Sequence, residues 1–148
     1  MILHVFDRRV ADWVAQRPPF DPARGFGNCS AIGFAENGVL IAGLVYHNWE
    51  PEAGIIEISG AADSPRWLTR QSLDLMFRYP FENIGVQMVI MRTRDSDEER
   101  GIVRITKAFG FDQVRIPRLY GRNLDGIVHT LTDDQWRAAR LVFGPKAR

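Results

Sequence analysis

Cysteine, lysine and long apolar runs are all scarce in this chain, and each shortage excludes something. Cys29 is the only cysteine, so no intrachain disulfide can form, and a reducing, cytoplasmic setting is the expectation. No stretch approaches the roughly 18 consecutive apolar residues of a membrane-spanning helix. The opening "MILHVFDRRVADW" also has no long apolar region of a secretory leader, so no membrane role is expected. His4, His47 and His129 are scattered without metal-ligand spacing, and no metal is expected. Neither sign of charge is in excess: 19 Lys and Arg face 18 Asp and Glu. The net charge of +1 leaves no whole-chain field to attract nucleic acid or a membrane.

What is present fits one folded domain spanning residues 1–148, with 45% apolar and 25% charged residues. Of the 19 basic residues, 17 are arginine. A planar guanidinium can bind two phosphate oxygens at once, although a genome-wide codon bias produces the same excess.

Periodicity gives the element order. "MILHVF" reads as a strand and "RRVADWVAQR" as a short helix stopped by Pro18-Pro19. "FDPARGFGNC" is a glycine-bearing loop long enough to act as a mobile flap. "SAIGFAENGVLIAGLVYHNW" is a hairpin whose Asn37-Gly38 favours a type I′ turn, and "GIIEIS" is the next strand. From Arg66 the spacing becomes helical, with Leu68, Ser72, Leu75, Met76 and Tyr79 on one face and Pro80 as the stop. "VQMVIMRT" has the apolar interior of a strand covered on both faces. Ser96 and Glu99 have the S-x-x-E spacing of a capping box, and Ile102, Ile105 and Phe109 line the inner face of the helix that follows. Gly110 is placed to cap that helix. "DQVRIPRLY" and "GIVHTLT" form a last hairpin around Asn123–Gly126, before a short terminal helix at Asp133-Asp134. The predicted order is β-α-β-β-β-α-β-α-β-β with a C-terminal helix, a mixed α/β sheet.

The junction "SGAADSPRWLTR" joins the "GIIEIS" strand to the next helix. Ser64 is a good N-cap and Pro65 suits the first helical position. Any helix start presents unpaired N–H donors and a positive dipole end to an anion, and Arg66 and Arg70 are spaced one turn apart to add charge.

This order, with "VQMVIMRTRDSDEERGIVRITKAFGF" as its most specific piece, resembles the GNAT superfamily of acyl-CoA-dependent N-acyltransferases over roughly residues 1–132. The resemblance implies an acetyl-CoA cosubstrate whose pantetheine arm enters between two splayed central strands. It implies cofactor contacts at Ile58, Ser59, Gly60, Ser64, Arg66, Trp67 and Arg70. The family's junction is usually glycine-rich, and here arginine takes the place of glycine. The tyrosine that often serves as general acid corresponds to Thr106, and the asparagine often found one turn into that helix corresponds to Glu99.

Amide formation requires a base to remove a proton from the attacking amine. Glu57, flanked by isoleucines on the central strand, is the candidate, because burial would raise its pKa toward a useful range. A salt bridge, with an arginine as one partner, is the competing role. Tyr120 is the candidate replacement acid, against a plain rim aromatic. His47 has a suitable ordinary pKa for base work, against a surface histidine near a turn. Tyr46 and Trp49 lie in the same strand end as His47, Trp49 and Trp67 read as packing or pocket walls, and Cys29 is a weak nucleophile candidate.

The expected acceptor is a small-molecule or macromolecular amine, handled by a monomer or homodimer. Two alternatives remain beside it. Phage-encoded relatives of the Mom type modify adenine in DNA on a GNAT-like scaffold, and Arg115, Arg118 and Arg122 would supply a local basic stripe. The third reading is a GNAT-fold module that binds CoA without catalysis; the family resemblance itself extends to phage-like members.

Overall fold

In the computed structural model, which describes residues 1–145, the chain runs through seven strands and four helices. They are β1 (Ile2–Phe6), α1 (Val10–Ala15), β2 (Cys29–Glu36), β3 (Val39–Glu50), β4 (Ile55–Ala62), α2 (Arg70–Arg78), β5 (Met88–Arg94), α3 (Arg100–Phe109), β6 (Asp112–Ile116), β7 (Gly126–Thr132) and α4 (Asp133–Phe143). This is the predicted order. The strands make one mixed sheet, β1-β2-β3-β4-β5-β7-β6, in which only β4 and β5 run parallel. Asn37 and Gly38 have φ of 53° and 77°, the left-handed pair that a two-residue type I′ hairpin requires.

Alternation along the strands builds two apolar layers. One face carries Phe34, Leu44, Ile58, Val89 and Leu131 against Phe77 of α2, Phe109 of α3 and Trp136 of α4. The other face holds Ala31 and Val45 beneath Val10, Ala11 and Val14 of α1. Gly33 and Gly43 are register partners on β2 and β3 under this helix. A Cβ at Gly43 would lie 2.7 Å from methyls of both Val10 and Val14, and one at Gly33 would lie 2.8 Å from Val10.

The parallel ladder is short. β4 and β5 pair only at Ile55↔Met88, Ile56↔Val89 and Glu57↔Ile90. Beyond that point each strand keeps its antiparallel neighbour. β4 stays on β3 as far as Ala62↔Ala42, and β5 follows β7 as far as Arg94↔Gly126. The two strands therefore diverge, and a wedge opens at the centre of the sheet.

Several sequence expectations are corrected. The helix after β4 begins at Arg70 rather than Arg66, because the extended backbone at Leu68 and Thr69 separates it from a 3-10 turn at Pro65–Trp67. Ser64 caps that turn, accepting a hydrogen bond from the Arg66 N–H at 3.2 Å. Thr69 and Ser72 form the reciprocal capping box that starts α2. Pro80 ends the α pattern but not the winding, which continues as a π turn over Tyr79–Ile84. Ser96 makes no capping hydrogen bond. Glu99 instead accepts from the Arg94 backbone N–H and from Arg94 Nε, the latter a charged donor at 2.9 Å, so one residue serves both carboxylate oxygens. Phe109 is buried as expected, whereas Ile102 and Ile105 are 43% and 47% exposed, turned to the wedge rather than the core. Tyr120 lies in the β6–β7 connection, because β6 ends at Ile116.

α2 and α4 are joined by a charged contact as well as by packing. The Asp74 carboxylate, 3% exposed, accepts from Arg140 Nε at 2.8 Å and Nη2 at 3.3 Å. Arg140→Ala would strand that buried charge, with Arg78 left at 3.7 Å as its nearest cation. The expected loss is about 2–3 kcal/mol in chemical denaturation, below the usual range for a fully buried pair because Arg140 is partly hydrated. Asp74→Asn combined with Arg140→Gln should recover part of it. A single variant as stable as the parent chain would show that the contact contributes nothing.

Candidate active site

Where β4 and β5 part, polar side chains gather on the face that carries α1. His47 of β3 and Glu57 of β4 are register partners, and Ser59 follows two residues along. Arg92 stands on β5, two residues past the last parallel pair. A bulge after His47 puts Asn48 in the left-handed region at φ 52°, from which its amide reaches the Glu57 carboxylate. Glu57 accepts from Asn48 Nδ2 at 3.0 Å and from Arg92 Nε at 3.1 Å. The salt bridge weighed from the sequence therefore exists, and Arg92 is the partner. His47 Nε2 is 2.8 Å from Ser59 Oγ and 3.9 Å from Glu57 Oε2.

The loop after α1 completes this chamber. Phe20, Asp21, Arg24 and Phe26 line it, with Gly25 and Gly27 at positive φ providing the bends. Phe26 packs edge-on to His47 at 4.9 Å. Tyr120 enters from the β6–β7 connection, and the chamber has a volume of about 320 Å³. Glu57, His47 and Tyr120, the three residues singled out for chemistry, all line it. His47 is 7% exposed, so it is not the surface histidine that its place near a turn suggested. Burial lowers its pKa below 6.5, Glu57 opposes and Arg92 adds to the lowering, so the ring is neutral at pH 7. Burial raises the Tyr120 phenol above its ordinary value, with Arg92 pulling the other way, so the hydroxyl keeps its proton at pH 7.

The wedge itself is a larger and mostly apolar cleft of about 440 Å³. Ile58, Ser59, Gly60, Ser64 and Trp67 line it, as do Met91 and Thr93 of β5 and Ile102, Ile105 and Thr106 of α3. Ser59, Arg92 and Phe20 border both cavities, so the two spaces meet. Arg66 and Arg70 do not line the cleft. Arg66 pairs with Glu36 at 2.9 Å, and Arg70 Nη1 donates to the carbonyls of Val142 and Gly144 at the end of α4. The two guanidinium groups thus have different partners instead of converging on one anion. Asp63, Glu98 and Glu99 also line the cleft; Asp63 is held by Arg17 at 2.8 Å and Glu99 by Arg94. Arg115 bridges Asp95 and Asp125 at 3.0 and 2.9 Å, which neutralises one of the three arginines of the supposed basic stripe. Among the described residues no group of histidine, cysteine and carboxylates could hold a metal, and no helix is long and apolar enough to cross a membrane.

Sequence reasoning missed Arg92, Asn48, Arg24 and the His129 cluster. A charged residue inside the apolar run "VQMVIMRT" was the available signal for Arg92. Thr106, at the position where the resemblance puts an acid, is tied into a buried network. His129 is fully buried between Thr93 Oγ1, 2.8 Å from Nε2, and Thr106 Oγ1, 3.0 Å from Nδ1, with Gln113 Nε2 at 3.3 Å.

No protein-family model and no curated protein matches the sequence. Solved structures do match it. A GNAT-family protein from Desulfovibrio desulfuricans superposes with a TM-score of 0.60 at 13% identity, covering 89% of this chain and 99% of that one. The chain has the GNAT fold. A spermidine/spermine N-acetyltransferase from Vibrio cholerae gives a TM-score of 0.65 at 11% identity, covering 76% of this chain and 69% of that one. A protein named as an acetyltransferase from T. thermophilus gives 0.66 at 16% identity over 79% of this chain, which spans 65% of its length. At these identities the likeness is one of fold, and in this chain the parting of β4 from β5 opens the cleft.

The buried histidine behind the cleft has a measurable consequence. Burial lowers the His129 pKa to about 4. The unfolded chain takes up this proton near pH 6.5 and the folded chain only near pH 4. The neutral ring therefore supports the fold fully above pH 6.5, and stability falls as pH drops from there toward 4. The loss attributable to this residue should reach about 3 kcal/mol. Denaturation of parent and His129→Gln proteins between pH 4 and 7.5 checks it; equal acid sensitivity would remove His129 as the cause.

Proposed function

We propose that this chain transfers an acyl group from acyl-CoA to an amine. The observation that carries this reading is the parted pair of central strands, which forms an apolar cleft opening into a chamber that holds a carboxylate, a neutral histidine and a protonated tyrosine. The cleft fits a pantetheine arm: its walls are apolar, and the facing edges of β4 and β5 offer backbone groups not used in pairing with each other. Ile58, Ser59 and Gly60 would border the arm, and Ser64 and Trp67 would stand at the rim. The diphosphate end fits less well, since Arg66 and Arg70 have other partners and three carboxylates stand nearby.

Bound acyl-CoA supplies a thioester carbonyl; a C–N bond forms to the amine as the C–S bond breaks. Glu57 Oε is positioned by Asn48 and Arg92 to receive the amine proton. The neutral His47 fixes the Ser59 hydroxyl beside it and adds no further positive charge to the chamber. Tyr120 holds the proton that the departing thiolate takes up. Thr106 is bound to His129 and does not take the acid role.

Three measurements check the assignments separately. Ile105→Glu puts a charge on a half-exposed wall of the cleft, where it should leave the fold intact and weaken acetyl-CoA at least about 10-fold by calorimetry. Unchanged affinity would place CoA elsewhere. Tyr120→Phe should lower kcat by about 10–100-fold, at or below the usual contribution of a general acid. Glu57→Gln should impair turnover more at low pH than at high pH, where the amine is already deprotonated. A parental pH–rate profile in Glu57→Gln would remove the base assignment. Acetyl-CoA binding without turnover of any amine would favour the binding-module reading.

A further inference from the structure

The polar chamber has a charge pattern that selects among amines. Arg92 is fixed through Nε to Glu57, while its Nη1 and Nη2 make no hydrogen bond to any described residue. Its side chain is 44% exposed and borders both cavities. The guanidinium is thus anchored at one edge and leaves a two-nitrogen fork unpaired where the two cavities meet, a group suited to a carboxylate. Arg24 lines the same chamber from the loop after α1 and has no carboxylate partner among the described residues. Against these stand Asp21, which accepts from the Ala23 N–H at 2.9 Å, and Glu57. Two cations and two carboxylates balance, and the rings of Phe20 and Phe26, 5.2 Å apart, belong to the same lining.

A polyamine carries only positive charge and would need an acidic surplus that this chamber lacks. A simple alkylamine would leave the Arg92 fork and Arg24 without an anion. We infer that the acceptor is a small zwitterion, an α-amino acid with an apolar side chain or a close amino-carboxylate. Its carboxylate lies on Arg92 and Arg24, its amine on Glu57, and its side chain against Phe20 and Phe26. A chamber of about 320 Å³ admits one such molecule and excludes a folded protein surface. The inference rests on the acyl-transfer reading and narrows it to one substrate class.

The test compares acceptors that differ only by the carboxylate. Thiol release from acetyl-CoA is followed with L-leucine against isopentylamine, L-phenylalanine against phenethylamine, and spermidine, each rate corrected for its fraction of neutral amine. The amino acids should exceed their decarboxylated partners by about 10–100-fold in kcat/KM, as one or two charge-assisted contacts allow. Arg24→Gln, on an exposed loop, should shrink that ratio severalfold, and Arg92→Lys, which keeps the charge but loses the fork, should shrink it further. L-leucine should also bind the CoA-loaded protein in calorimetry, and isopentylamine should not. Equal or better turnover of the amines or of spermidine would overturn the zwitterion and leave acyl transfer standing. A ratio untouched by both arginine variants would overturn the assigned carboxylate site. If no acceptor releases thiol and L-leucine gives no heat while acetyl-CoA binds, the inference is overturned too; absence of acetyl-CoA binding is what would overturn the transferase reading itself.

Discussion

After Glu57 and Ile90, the facing edges of β4 and β5 lose each other as partners, and the rest of the molecule is arranged around that separation. A polar backbone edge inside a protein must find a partner, water or a ligand. Here both strands are secured from behind, β4 by β3 and β5 by seven pairs with β7, so the wedge can stay open without the sheet coming apart. The helices then serve two purposes at once. α2 and α4 close the core under the intact part of the sheet, while α3 turns Ile102 and Ile105 toward the gap.

The same geometry explains why charge collects at one place. The last paired residues bring Glu57 and, two residues on, Arg92 to neighbouring strands on one face. Arg92 Nε donates to one oxygen of the Glu57 carboxylate and Asn48 Nδ2 to the other, so the pair is held in one orientation. His47 sits in this field as a neutral ring, because burial and Arg92 together outweigh the pull of Glu57. The chamber is therefore polarised by a fixed ion pair rather than by a titrating histidine.

Much of the fold was legible because it follows from local rules: alternation for the strands, Asn37-Gly38 for the hairpin and Gly110 for a helix end. The errors arose where two local signals competed. Ser64 and Thr69 are both capping residues five positions apart, and only the second starts α2, because the extended backbone at Leu68 breaks the first turn. Ser96 and Glu99 have the spacing of a capping box, but Arg94 supplies stronger donors to the carboxylate. Glu57, His47 and Tyr120 could be picked out by residue type and position along the chain. Arg24 and Asn48 could not, because their places depend on a loop and a bulge whose reach is set by tertiary packing. The Thr93–His129–Thr106 cluster joins three elements distant in sequence, and no spacing rule would reveal it.

The glycine pair beneath α1 sets a height. With no side chain at Gly33 or Gly43, the helix rests almost on the sheet backbone, and the loop that leaves its C-terminal end is held low over His47. A single methyl at either position would press on the Val10 side chain, and at Gly43 on Val14 as well, so the seat of α1 and of the loop carrying Phe20 and Phe26 would have to adjust. The clearance above the ion pair is thus set from the sheet floor beneath α1, where Gly43 also borders the cleft. In related chains, exchanging these two residues would be an economical way to change which molecules fit, with every chemical group left in place.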